Sequence, residues 1–165
     1  MRVGFIVIDM QAAHLKGVEK SLVSRACEYI NHVSGMFRSQ GHVVIHVQDI
    51  EDRTEANRDE FLTIPEVQMD DNDPVVTKVY TNSFWKTELE QLLRDQGIEM
   101  IILAGYAAEH CVLGTYNGAR ERGFTPVILQ HGVLSKHADV ITATYRDRNI
   151  VSYSVVPYLL GKSAK

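Results

Sequence analysis

Four short apolar runs, at residues 3–8, 43–47, 100–104 and 125–129, are mostly continuous where a half-exposed strand would alternate apolar with polar. Such runs suit strands covered on both faces, which is the condition of a parallel sheet. Residues 75–79 and 150–153 are weaker candidates of the same kind. Between the runs the spacing changes. Val18, Leu22, Ala26, Ile30, Val33 and Phe37 recur every three or four positions, Leu89, Leu92 and Leu93 precede Gly97, and Val112, Tyr116 and Ala119 lead to Gly123. That is helical periodicity with glycine as the stop. Strands alternating with helices predict right-handed βαβ crossovers and a three-layer α/β/α fold. The 165 residues make one domain, 1–165, of a size that needs neither disulfide nor metal to fold.

Composition narrows the function classes. Seventeen basic against twenty-one acidic residues give a net charge of −4, which offers no electrostatic footprint for nucleic acid or an anionic membrane. No apolar run approaches the roughly 18 residues of a membrane span. No basic segment followed by an apolar stretch and a small-residue cleavage site is present, so the expected location is the cytoplasm. Cys27 and Cys111 make no disulfide framework; Cys27 falls in the periodic helix beside Ala26 and Ile30 and reads as core. Residues 49–73 are acidic and polar, interrupted by Pro65. They predict a long excursion with one short helix near 59–62, its acids on a solvated face, serving as a lid or a partner surface. Residues 161–165 are expected to fray.

In an open parallel sheet, ligands bind beyond the carboxyl ends of the strands. Three reactive side chains fall there. Asp9 ends the first run, Lys78 ends the weak run at 75–79, and Cys111 follows the 100–104 run and opens a helix. Each alone has an ordinary explanation: a turn or cap for Asp9, a solvent-reaching lysine for Lys78, a buried thiol for Cys111. Together they supply a nucleophile, a base and a cation. A thiol at a helix N-terminus also meets the positive end of the macrodipole, which favours the thiolate, and free N–H groups that can hold an oxyanion.

Three segments carry a family likeness. The run from Ile6 through Asp9 to Gln11, the segment from Lys78 through Ser83 to Phe84, and the block Gly105-Tyr106-Ala107-Ala108-Glu109-His110-Cys111-Val112 continuing to Gly123 resemble the isochorismatase-like cysteine hydrolases, the superfamily of nicotinamidases and N-carbamoylsarcosine amidohydrolases. One extra residue separates Lys78 from Ser83. The resemblance implies a six-stranded parallel sheet in an isochorismatase-like (Rossmann-like) architecture and an Asp9–Lys78–Cys111 triad. By carry-over Asp9 is the general base, Lys78 orients and stabilises, and Cys111 is the nucleophile. The resemblance also implies a cis peptide near Ala107-Ala108 and an oxyanion hole built from Ala107, Ala108 and Cys111.

Departures from the family pattern narrow the chemistry. His14 stands where a pocket phenylalanine is usual, and after the second strand Asp49-Ile50-Glu51-Asp52-Arg53 lacks the histidines that bind a metal in nicotinamidases. Neither metal nor cofactor is expected. Isochorismatases proper lack the cysteine, so Cys111 points to acyl chemistry. The implied activity is hydrolysis of a C–N bond in a small amide or carbamoyl compound through a thioester. The alternative is a non-catalytic pseudoenzyme or assembly protein of the same fold. His14, Tyr80, Phe84 and Tyr106 are the expected substrate pocket, with Trp85 near the same rim. His42 and His46 read as structural, His110 neighbours the nucleophile, and His131 and His137 reach substrate only if the pocket extends to them. Like its relatives, the chain is expected to form a homo-oligomer, a dimer or tetramer. A phosphate-binding signalling domain would need paired acids after the first strand, where Met10, Gln11 and Ala12 stand instead.

Overall fold

The computed structural model describes residues 1–161; of the expected fraying terminus, 162–165 lie outside the described residues. Six strands, β1 (Arg2–Ile8), β2 (Val44–Asp49), β3 (Val75–Lys78), β4 (Ile98–Tyr106), β5 (Thr125–Leu134) and β6 (Ile150–Val151), form one sheet. Every pairing is parallel, in the order β3-β2-β1-β4-β5-β6. The helices are α1 (Ala12–Leu15), α2 (Lys20–Ser39), α3 (Leu89–Asp95), α4 (Cys111–Glu121), α5 (Ala138–Asp147) and α6 (Val156–Leu159).

The continuous apolar runs have the expected cause. Phe5 and Val7 of β1 pack with Ile30, Val33 and Phe37 of α2. Ile6 and Ile8 point the other way, into the layer of Leu89 and Leu93 from α3 and Val112 and Tyr116 from α4. With both faces covered, no position in the middle of β1 is free to be polar. Cys27 lies in the α2 layer, 3% exposed, as its helical register predicts.

The order of the strands puts the chain reversal between β1 and β4, where a doubly wound sheet opens its ligand crevice. There β1 and β4 run unusually close. Gly105 pairs with Ile8, and a Cβ on it would fall 2.0 Å from the Ile8 carbonyl oxygen, in a backbone of φ +111°. Only glycine fits.

Several boundaries differ from the periodicity reading. β5 runs five residues further, to Leu134, because its pairing with β4 jumps from Leu103–Ile128 to Gly105–Val133. The residues between bulge out, with His131 at φ +65° donating its N–H to the Tyr145 hydroxyl at 2.7 Å. The excursion holds a 3₁₀ turn, Arg58–Phe61, but is no uniformly solvated face. Phe61 and Val67 are buried, and Gln11 amide N–H donates to the Phe61 carbonyl at 2.6 Å. At its ends, Asp49 and the Asp73 carboxylate are nearly buried too. His46, fully buried, contacts Asp73 Oδ2 at 3.1 Å, whereas His42 precedes the strand and reaches the Val3 carbonyl.

The segment after β3 is tied to α4. Thr115 Oγ1 accepts from the Ser83 N–H at 3.1 Å and donates to Ser83 Oγ at 2.7 Å. Gly114 faces Thr81, and a Cβ on Gly118 would fall 2.5 Å from the Asn82 amide. Asn82 cannot simply swing away, since its Oδ1 accepts from the Phe84 N–H. Gly118→Ala is therefore expected to cost about 1–3 kcal/mol as overpacking. Gly35→Ala in α2, which meets nothing within 4 Å, should instead stabilise by up to about 1 kcal/mol through helix propensity. Urea midpoints of the two variants moving in the same direction would contradict this packing argument.

Candidate active site

The site is assembled from four strand ends. Asp9 follows β1 in a left-handed backbone, φ +51°, a conformation that aspartate tolerates better than most residues. The turn is fixed by its N–H on the Val47 carbonyl and its carbonyl on the Gln11 N–H, both at 2.9 Å. Lys78 is the last residue of β3, and Cys111 is the first of α4, five residues beyond the end of β4.

These three meet. Lys78 Nζ lies 2.9 Å from Asp9 Oδ2 and 3.3 Å from Cys111 Sγ. It also lies 2.8 Å from Oδ2 of Asp49, the last residue of β2. The lysine side chain is fully buried and that of Asp9 is 3% exposed. Oxygens of both carboxylates and the sulfur lie within 4.8 Å of one another. This point would draw a cation, and the ammonium of Lys78 already occupies it. An ammonium has three N–H groups, and all three are matched here by two carboxylates and a sulfur.

Asp49 is not among the site residues that the sequence suggests. In the sequence it opens an acidic stretch and looks solvated; its burial comes from Gln11. That side chain, wholly buried, accepts from the Asp49 N–H at 2.9 Å and donates to the Asp49 carbonyl at 2.9 Å. The usable signal was the isolated glutamine two residues beyond Asp9, a polar side chain with no solvent to satisfy it.

The electrostatics follow from the burial. Desolvation pushes the Asp9 carboxyl up from the ordinary carboxylate range, opposed by the Lys78 charge and by a hydrogen bond with Cys111, and aided by Asp49. Lys78 is held protonated against its own desolvation by Asp9 and the other acidic neighbours. The Cys111 thiol is pushed up to about 12, first by burial and then by the Asp9 charge, with Lys78 pulling the other way. Burial and the Asp9 charge thus oppose the helix-terminus effect, which favours the thiolate. The shift favours the protonated thiol, and buried Oδ1 of Asp9 has no hydrogen-bond partner.

The expected oxyanion donors divide. The Ala108 N–H donates to the Leu134 carbonyl at 2.9 Å and is not free. The N–H groups of Ala107 and Cys111 take no acceptor among the described residues. The cis bond is Tyr106-Ala107, in the expected neighbourhood of Ala107-Ala108.

The expected pocket also divides. His14 Nε2 approaches the Asp49 carbonyl at 3.4 Å, and its ring meets Phe61 edge-on. Tyr106 is half-buried, its phenol pushed up by desolvation and by the charges of Glu109 and Cys111. Phe84 is 4% exposed and stacks on Phe124 at 5.7 Å. Tyr80 is exposed, with Lys86 over its ring, and Trp85 is exposed as well. His110 and His137 are exposed at the starts of α4 and α5. His131 borders a cavity of ≈ 450 Å³ shared with Arg25 and Tyr145.

Comparison with known proteins gives a consistent result. The isochorismatase domain family model matches residues 3–148. The uncharacterized isochorismatase family protein YrdC of Bacillus subtilis is 28% identical over 130 residues, covering 75% of this chain and 69% of that protein. Maleamate amidohydrolase of Pseudomonas putida is 31% identical over 65 residues, only 39% of this chain and 30% of the enzyme. Among solved structures, N-carbamoylsarcosine amidase from Thermoplasma acidophilum superposes with a TM-score of 0.78 at 22% identity, over 92% of this chain and 95% of that one.

Proposed function

The chain belongs to the isochorismatase family, and from that premise we propose that it is a cysteine-dependent hydrolase cleaving a C–N bond of a small amide or carbamoyl compound. The observation that carries the reading is the contact set of Lys78 Nζ, at 2.9 Å from Asp9 and 3.3 Å from the Cys111 sulfur. Two relatives whose names denote amide-bond hydrolysis, maleamate amidohydrolase and N-carbamoylsarcosine amidase, support the substrate class.

The sulfur attacks the substrate carbonyl as its proton passes to Asp9. A thiol pushed up to about 12 is a poor nucleophile at rest, so transfer and attack are coupled, and a carboxyl raised by burial is the suitable acceptor. The oxyanion is received by the free N–H groups of Ala107 and Cys111; each such donor typically lowers a barrier by about 2.7–4 kcal/mol. Asp9 then returns the proton to the departing ammonia or amine. A water activated by Asp9 hydrolyses the thioester.

No helix among the described residues is long and apolar enough to cross a membrane. We place the protein in the cytoplasm as a homo-oligomer, dimer or tetramer, acting without metal or cofactor, and engaging neither membrane nor nucleic acid.

The test is acyl-enzyme trapping. Incubation with a panel of carboxamides, carbamoyl acids and ureides, quenched in acid and digested, should yield an acyl adduct on the Cys111 peptide together with released ammonia or amine. Ammonia released in bursts while Cys111 stays unmodified would contradict the thioester route, and a panel that neither releases ammonia nor labels Cys111 would remove the hydrolase reading.

A further inference from the structure

The ammonium of Lys78 is bound by two carboxylates, although one suffices to orient a lysine. The two are held differently. Asp49 is fixed at every polar atom named here: Oδ2 on Lys78 at 2.8 Å, Oδ1 on the Glu51 N–H at 3.0 Å, and its own N–H and carbonyl on Gln11. Asp9 gives only Oδ2 to Lys78 and leaves buried Oδ1 without a partner, and a carboxylate oxygen of Asp9 lies within 4.8 Å of the Cys111 sulfur. One carboxylate is an anchor, and the other has an oxygen available for a proton.

We propose that Asp49 is a positioning residue, which shares the Lys78 ammonium with Asp9 and so frees Asp9 to take the Cys111 proton while the lysine stays in place. This rests on the hydrolase reading above. In the step itself the S–H bond breaks and an O–H bond forms on Asp9. The sulfur electron pair bonds to the carbonyl carbon, and the C=O π pair moves to the oxygen. Asp9 is then neutral. Without a second anion, Lys78 would lose its counterion at the moment the negative charge moves to the substrate, and would oppose protonation of Asp9 beforehand. With Asp49 ionised, the group of Asp9, Asp49, Lys78 and thiol carries one net negative charge before the step and none after the charge leaves for the substrate.

The charged and titratable groups facing Asp49 are Lys78 on β3, Asp9 after β1, Cys111 on α4 and His14 on α1, with Tyr106 and Glu109 beyond the sulfur. Asn at position 49 keeps one oxygen, enough for the Glu51 N–H or for the Lys78 ammonium but not both, and loses the charge. In Asp49→Asn, both Asp9 and Cys111 should give up protons more readily, because a negative charge within 4.8 Å of both is gone. The experiment uses iodoacetamide, with alkylation followed on the Cys111 peptide by mass spectrometry as a function of pH, and kcat/KM on any substrate found.

The alkylation midpoint is expected to fall by about one pH unit or more, which at pH 9 reads as about tenfold faster labelling, and the acid limb of kcat/KM should move down with it. Asp49→Ser, smaller and still able to meet the Glu51 N–H, gives the same reading should the Asn variant not fold. Profiles superposing on wild type would reduce Asp49 to a local cap and overturn the proposal. Because alkylation needs no substrate, a protein that hydrolyses nothing yet shows the shift would sink the hydrolase reading and leave the charge coupling standing.

Discussion

Cys111→Ala is expected to remove turnover, on the order of ten-thousandfold or more in kcat, while the protein remains folded. The figure is what loss of a covalent nucleophile costs when the residual rate comes from binding and the oxyanion donors alone. The fold should tolerate the change because Cys111 is only partly buried and its side chain is small. The main loss is the sulfur as third acceptor for the Lys78 ammonium. Cys111→Ser should be almost as inactive, since Asp9 would have to deprotonate an alcohol, far less acidic than a thiol. Steady-state ammonia release measured beside circular dichroism checks both statements. An alanine variant that retains a tenth of wild-type activity would move the chemistry to another residue.

Lys78→Met is expected to damage fold and activity together. Methionine fills a similar volume, but it leaves two buried carboxylates facing one another without their cation. Breaking a buried ion pair by removing one partner costs about 3–5 kcal/mol, and activity should drop to background with it. The loss has a pH signature. Without the ammonium, Asp9 is raised still further above its unfolded value, so the folded state holds protons that the unfolded state releases. The deficit is then full at neutral pH and shrinks as pH falls toward the ordinary carboxylate range. Urea denaturation at pH 7 and at pH 4.5 should show the wild-type–variant gap narrowing at the lower pH. A constant gap would mean that Lys78 stabilises by packing and not by charge.

The legible part of the fold was what burial on both sides imposes. The 3–8 and 100–104 runs admit no polar residue because helices cover each face, and so the sheet and its layers could be read directly. The convergence of Asp9, Lys78 and Cys111 was legible because each stands at or just beyond the carboxyl end of a strand, on the same rim. What escaped depended on register. Ala108 looked like a second oxyanion donor, yet the far end of β5 claims its N–H, and β5 reaches there only through the bulge at Gln130, His131 and Gly132, which reads in sequence as the end of a strand. Asp49 looked solvated because its neighbours Glu51 and Asp52 are; a buried amide from another strand end, Gln11, overrides them. Phe84 lay in a segment matching the family pattern, but that segment turns inward against α4, and the ring faces Phe124.

β3 is the outermost strand on its side of the sheet and only four residues long, yet it carries Lys78. Margins of this kind open more readily than the centre of a sheet. The ion pairs to Asp9 and Asp49 and the Ser83–Thr115 tie therefore act as a latch on a segment that backbone pairing alone secures from one flank. On the proposed mechanism, inactivation under mild denaturant should run ahead of global unfolding, since detaching this one short margin parts Lys78 from Asp9 and Cys111 while β1, β4 and β5 remain assembled.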